Sequence, residues 1–144
     1  MYLLASQKTG GKMANLNTNK FGISWYVHQR AIYVTLSPAM SVENFRVADR
    51  RVTEMLESVP LQAALIIDAS DMEARLLDWT SVRMTQTYGD HPNLQAIFVI
   101  LPESNRVVRL MMLIMFNLAR APMHMVGSLH EVDSWLNRYG IPVT

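Results

Sequence analysis

The chain has 144 residues, half of them apolar and 17% charged, which suits one domain with a core of its own. It contains no cysteine, so disulfides and thiolate chemistry are excluded, and a reducing, cytoplasmic setting is expected. The net charge of +1 conceals an asymmetry: all three lysines, Lys8, Lys12 and Lys20, fall in the first twenty residues, and the remainder sets ten arginines against twelve acids, a net of −2.

Residues 1–20 are rich in Lys, Gly, Asn, Thr and Ser and have no apolar period, so they read as a disordered tail ahead of a single domain over 21–144. Ile23–Val27 and Ala31–Leu36 are rich in β-branched and aromatic residues and flank the polar His28-Gln29-Arg30, the pattern of a hairpin. Ser41 caps a helix whose apolar positions, Val42, Phe45, Ala48, Val52, Met55, Leu56 and Val59, keep a 3.6-residue period until Pro60 stops it. Arg50 and Glu54 are placed to pair on its wet face. Ala63–Ile67 is a continuous apolar run ending at Asp68, the signature of a strand covered on both faces.

A loop leads to Asp78, placed as the N-cap of a second helix that runs to Tyr88, with Gly89 just beyond. Leu94–Leu101 is a second buried strand. Ser104 opens a third helix through Arg120, Pro122 breaks it, and Met123–Val126 is a short last strand. Ser128-Leu-His-Glu131 has the form of a capping box, followed by an apolar stripe of Val132, Trp135, Leu136 and Tyr139 ending at Gly140. The order β-β-α-β-α-β-α-β-α predicts an α/β fold: a mixed, mostly parallel sheet joined by right-handed crossovers, with one antiparallel hairpin at the start and the strands at 63–67 and 94–101 central and parallel.

This order resembles the STAS domain, the family of the anti-sigma-factor antagonists, over about residues 22–140. Ile32-Tyr-Val-Thr-Leu-Ser-Pro-Ala-Met-Ser41 is similar to the family's second strand, turn and first helix, Leu65-Ile-Ile-Asp68 to its central strand, and Leu77-Asp78-Trp79-Thr80-Ser81 to the Asp-Ser-Ser-Gly at its second helix. The resemblance implies a STAS-like sandwich that acts in bacterial signalling by docking on a protein partner. In the family the residue after that Asp is a serine phosphorylated by a partner kinase. Here it is Trp79, so the usual phosphorylation switch is expected to be absent, with Thr80 and Ser81 as the nearest hydroxyls at a predicted helix start.

Other candidate chemistry is sparse. His28, His91, His124 and His130 lie on different elements without ligand spacing, so no metal or other cofactor is expected. Met123-His124-Met125 has soft-metal ligand types, but on a strand the methionines point to one face and the histidine to the other. Asp68, Asp71, Glu73 and Asp78 gather near the carboxyl end of the central strand, where open α/β sheets bind ligands; no Gly-rich phosphate loop or lysine accompanies them. Their region, with Trp79, Thr80 and Ser81, reads as a docking loop. The third helix is apolar in every direction from Val107 to Leu118, whereas a surface helix needs one stripe. The surplus predicts an interface, for a protein partner or for a homodimer; the outward residues expected are Val108, Met111, Met112 and Met115, rimmed by Arg106, Arg109 and Arg120. The charge balance shows no basic stripe for nucleic acid, and Leu110–Phe116 falls far short of the ~20 apolar residues of a membrane span. The expected function is a non-catalytic interaction module. The rivals are a sensor of a small apolar ligand and an enzyme using the strand-end acids.

Overall fold

The computed structural model describes residues 21–72, 79–101, 106–117 and 119–143. The expected tail, the N-cap Asp78 and the helix opening at Ser104 lie outside the described residues, as does the side chain of Trp79. The chain forms β1 (Gly22–Val27), β2 (Ala31–Thr35), α1 (Val42–Ser58), β3 (Ala63–Asp68), α2 (Trp79–Thr85), a 3₁₀ turn at Tyr88–Asp90, β4 (Leu94–Ile100), α3 (Arg106–Phe116), β5 (Met123–Val126) and α4 (Leu129–Arg138).

The five strands lie side by side in chain order. β1 runs antiparallel to β2, and β2 through β5 are parallel, so the expected α/β architecture is the observed one. The β1–β2 turn places Gln29 at φ 57°, a left-handed position that a side chain adopts at some cost.

The strand order dictates which face each helix takes. Every parallel strand is added on the same side of the last, so right-handed crossovers put α1, α2 and α3 on one face. That face holds the larger core, in which Ile32, Val34, Leu65, Ile67, Ile97 and Val99 meet Phe45, Val52 and Leu56 of α1, Val82 of α2 and Val108, Met112 and Phe116 of α3. α4 follows the last strand and folds onto the other face, where Val132 and Leu136 pack on Ala64, Ile66, Ala96, Phe98 and Ile100. Five strands at ~4.8 Å spacing are about 19 Å wide, and a helix ~10 Å across covers about half of that. Its side chains close the rest: Asp133 accepts from the Tyr26 hydroxyl on β1 at 2.6 Å, and Trp135 stacks on His124 of β5.

The caps follow the sequence closely. Ser41 and Asn44 form a full capping box on α1. On α4 the box is displaced by one residue: Ser128 accepts from the Glu131 amide, and the Glu131 carboxylate takes the amide of Gly127. Tyr139 ends the helix and Gly140 turns left-handed at φ 77°. The pair expected between Arg50 and Glu54 is not made; among the described residues the ion pair found joins Arg46 and Glu43.

α2 departs from its expected length. It ends at Thr85 because the carboxylate of Asp49, on α1, takes the amides of Thr87 at 2.6 Å and Tyr88 at 3.1 Å, and the Thr87 hydroxyl at 2.8 Å. In a continued helix those amides would bond to Arg83 and Met84. The chain tightens instead into the 3₁₀ turn, which buries Tyr88 against Phe116. Enclosure beside Asp49 drives the Tyr88 phenol upward from its ordinary pKa, mainly through burial.

Candidate functional site

α3 presents the most unusual surface among the described residues. Its buried positions, Val108 (0% exposed), Met112 (1%), Met115 (7%) and Phe116 (5%), fall at i, i+4, i+7 and i+8, the single stripe a core-facing helix requires. The opposite side is also apolar: Val107 is 58% exposed, Leu110 53%, Leu113 45% and Ile114 44%. A second apolar face therefore exists, but its residues are not the ones expected. Val108, Met112 and Met115 point inward, while Met111 and Arg109 lie half-exposed on the flank. The rotation was illegible because the two polar residues, Arg106 and Arg109, mark one flank only and leave nine apolar residues undivided between core and surface. Packing fixes it: Val108, Met112 and Met115 enter the core, and Phe116 meets Tyr88 at 6.2 Å between ring centres.

A groove runs between α2 and α3. One part, about 220 Å³, is lined by Thr80, Arg83, Met111, Ile114 and Met115. It shares Arg83 and Met115 with a second depression of about 170 Å³, lined also by Gln86, Gly89, Asp90, Phe116 and Ala119. Gly89 permits a close approach at the far end, since a Cβ there would sit 3.3 Å from that of Ala119. Met84, 79% exposed, stands on the outer side of α2. The groove is thus soft and apolar at its Met111–Ile114 end, and Arg83, Gln86 and Asp90 stand in its wall toward Gly89.

The residues of the expected docking loop are divided. Asp68 is committed internally: one oxygen takes the amide and hydroxyl of Ser70 at 3.0 and 2.5 Å, an Asx turn, and the other takes the Tyr33 hydroxyl at 2.6 Å. Asp71 is exposed, and Asp78 is outside the described residues. Trp79 begins α2, Thr80 faces solvent and Ser81 is half-buried. Thr80 thus joins the groove, whereas Asp68 serves the fold. Among the described residues no three His, Asp or Glu side chains come together as a metal ion would need.

The Met-His-Met strand divides as its period requires. Met123 and Met125 pack toward α1–α3, and His124 faces α4. There its ring lies between Phe98 (5.4 Å) and Trp135 (3.9 Å), its Nε2 is 2.9 Å from the Tyr139 hydroxyl, and the Arg138 guanidinium stands 4.7 Å above the Trp135 ring. Burial holds the His124 pKa below its ordinary value. This aromatic stack seals one edge of the α4 face.

Sequence reasoning missed Asp49 and the identity of the exposed stripe. Asp49 carried a signal: it lies among Phe45, Ala48, Val52 and Leu56 on the buried face of α1, where a carboxylate requires donors from elsewhere. Val107, Leu110, Leu113 and Ile114 carried none beyond belonging to an all-apolar helix. Compared with protein-family models, curated proteins and solved structures, the chain matches none.

Proposed function

We propose that the chain is a non-catalytic docking module of STAS-like architecture, which works by seating a protein segment on the face formed by α2 and α3. The observation that carries this reading is the second apolar face of α3, Val107, Leu110, Leu113 and Ile114, which the chain's own core leaves exposed. Exposed apolar patches beside a groove mark interaction surfaces, and methionines such as Met111 make them adaptable.

Two further features favour docking over the rivals. The space enclosed between the sheet and α1/α3 is about 20 Å³, close to one water and lined almost wholly by apolar side chains, so a bound apolar molecule would need the core to open. The strand-end carboxylate Asp68 is already held by Tyr33 and Ser70 rather than poised as a base. No helix among the described residues is long and apolar enough to cross a membrane. The test is selection of binding peptides from a random displayed library by the full chain, repeated with Leu110→Glu. Binders that survive on the wild-type chain and are lost with the variant support the reading. Binders indifferent to Leu110→Glu would place the docking surface elsewhere.

A further inference from the structure

We infer that the occupant of the α2–α3 face is an acidic amphipathic helical segment of another protein; this rests on the docking reading above. The basis is charge. α2 and α3 together carry Arg83, Arg106 and Arg109 and no acid in either helix. None of the three arginines pairs with a carboxylate among the described residues, while the chain from residue 21 onward has an acidic excess. Among the described residues, the two helices and the groove between them therefore hold three arginines against one acid, Asp90 at the Gly89 end. Arg83 stands between the two parts of the groove, Arg106 opens α3 beside Val107, and Arg109 flanks Leu110.

This combination selects among occupants. A second copy paired about a two-fold axis sets the same patch against itself, so Arg106 and Arg109 of one copy would meet the same α3, which carries no acid. A head-to-tail pairing would set the patch against a different surface of the next copy, and satisfies every copy only if a ring closes. The chain's own first twenty residues carry Lys8, Lys12 and Lys20 and no acid, the wrong sign for the rim. A helix with apolar anchors at i, i+3/i+4 and i+7 and glutamates along its borders satisfies both halves of the surface: anchors into the Met111–Ile114 groove, carboxylates to the arginine forks.

The probe is a synthetic amphipathic peptide of about 16 residues, with leucine anchors and glutamate borders, beside the same peptide with lysine borders. Binding to the full chain is followed by fluorescence anisotropy at low and at ~0.3 M salt. The acidic peptide should bind at least about tenfold tighter than the basic one, and should weaken as salt rises. The variant Arg83→Glu/Arg106→Glu/Arg109→Glu, which alters one exposed and two half-buried side chains, should reverse the preference, with circular dichroism confirming that it folds. An unchanged preference in that variant, or no binding of either peptide, overturns the inference. Self-association of the wild type that Leu110→Glu abolishes, without peptide binding, assigns the face to a second copy: the acidic partner falls and the docking reading stands. Peptide binding indifferent to Leu110→Glu removes both.

Discussion

α4 and α3 are helices of nearly equal length on opposite faces of one sheet, and they use apolar residues differently. α4 has ten residues, two of them fully buried, and its half-buried Trp135 and Tyr139 are consumed by contacts with His124, Phe98 and Arg138. Its polar positions other than Asp133, which meets Tyr26, face water. α3 has eleven residues, four of them buried, and then repeats apolar chemistry on the outside. The fold needs everything α4 offers and about half of what α3 offers. Apolar side chains that folding does not use are costly to solubility, so they point to a second use.

The sharpest way to break this comparison is to exchange the two faces of α3. Met112→Glu places an unpaired carboxylate in the core and should cost about 3–5 kcal/mol or prevent folding, because a buried charge without a partner is among the most destabilising changes. Urea unfolding measures it. A mild effect would mean that α3 is rotated from the orientation described. Leu136→Ala on α4 is the matching test on the other face, at about 2–5 kcal/mol for a large-to-small change in a close-packed site.

Next in size is the carboxylate that shapes the groove. Asp49→Ala strands the amides of Thr87 and Tyr88 in a partly buried place, and should cost about 2–4 kcal/mol. Hydrogen exchange should show the loss first at residues 85–90, since Asp49 is what ends α2. Asp49→Asn, which keeps one acceptor, should recover part of it.

These two residues also show where the sequence was legible. Element order, the parallel arrangement and the central place of β3 and β4 followed from apolar runs and periods. The caps at Ser41 and Ser128 followed from local hydrogen-bond chemistry, which acts within four residues. The end of α2 did not, because it is decided by a carboxylate 38 residues earlier in the chain. The rotation of α3 did not, because its two arginines mark one flank and nothing in the sequence divides the other nine residues, all apolar, between core and surface. The site was thus legible as a helix, and its outward residues were not.

A smaller effect separates the two faces by pH. His124 is kept neutral by burial, so the folded chain binds fewer protons than the unfolded one at this position. Its contribution to stability is complete above the unfolded value of about 6.5 and is lost as pH falls below it toward the folded value. Urea midpoints should fall from pH 7 to pH 5, and less so in His124→Phe. At the alkaline end the signs reverse. Tyr26 and Tyr33 are pushed up to about 12, first by burial and then by bonds to Asp133 and Asp68. Their contribution is complete below about pH 10 and is lost as pH rises through 12. All three groups act on the α4 face, so a peptide seated on α3 should bind with unchanged affinity across pH 6–8.

The smallest expected effect on stability tests the comparison most directly. Leu113→Glu, Ile114→Glu and Val107→Glu alter side chains that are 44–58% exposed and outside the core. Each should leave urea stability within about 0.5 kcal/mol, as surface substitutions usually do. Solubility should rise, because the apolar patch is interrupted by charge. The same substitutions in α4, at Val132 or Leu136, should unfold the chain, since both are 0% exposed. Only one outcome is compatible with an apolar face held in reserve for a partner: α3 tolerates charge on its outer side while peptide binding is lost. If Leu113→Glu unfolds the chain as Leu136→Glu does, the outer face of α3 belongs to the fold, and the difference between the two helices disappears.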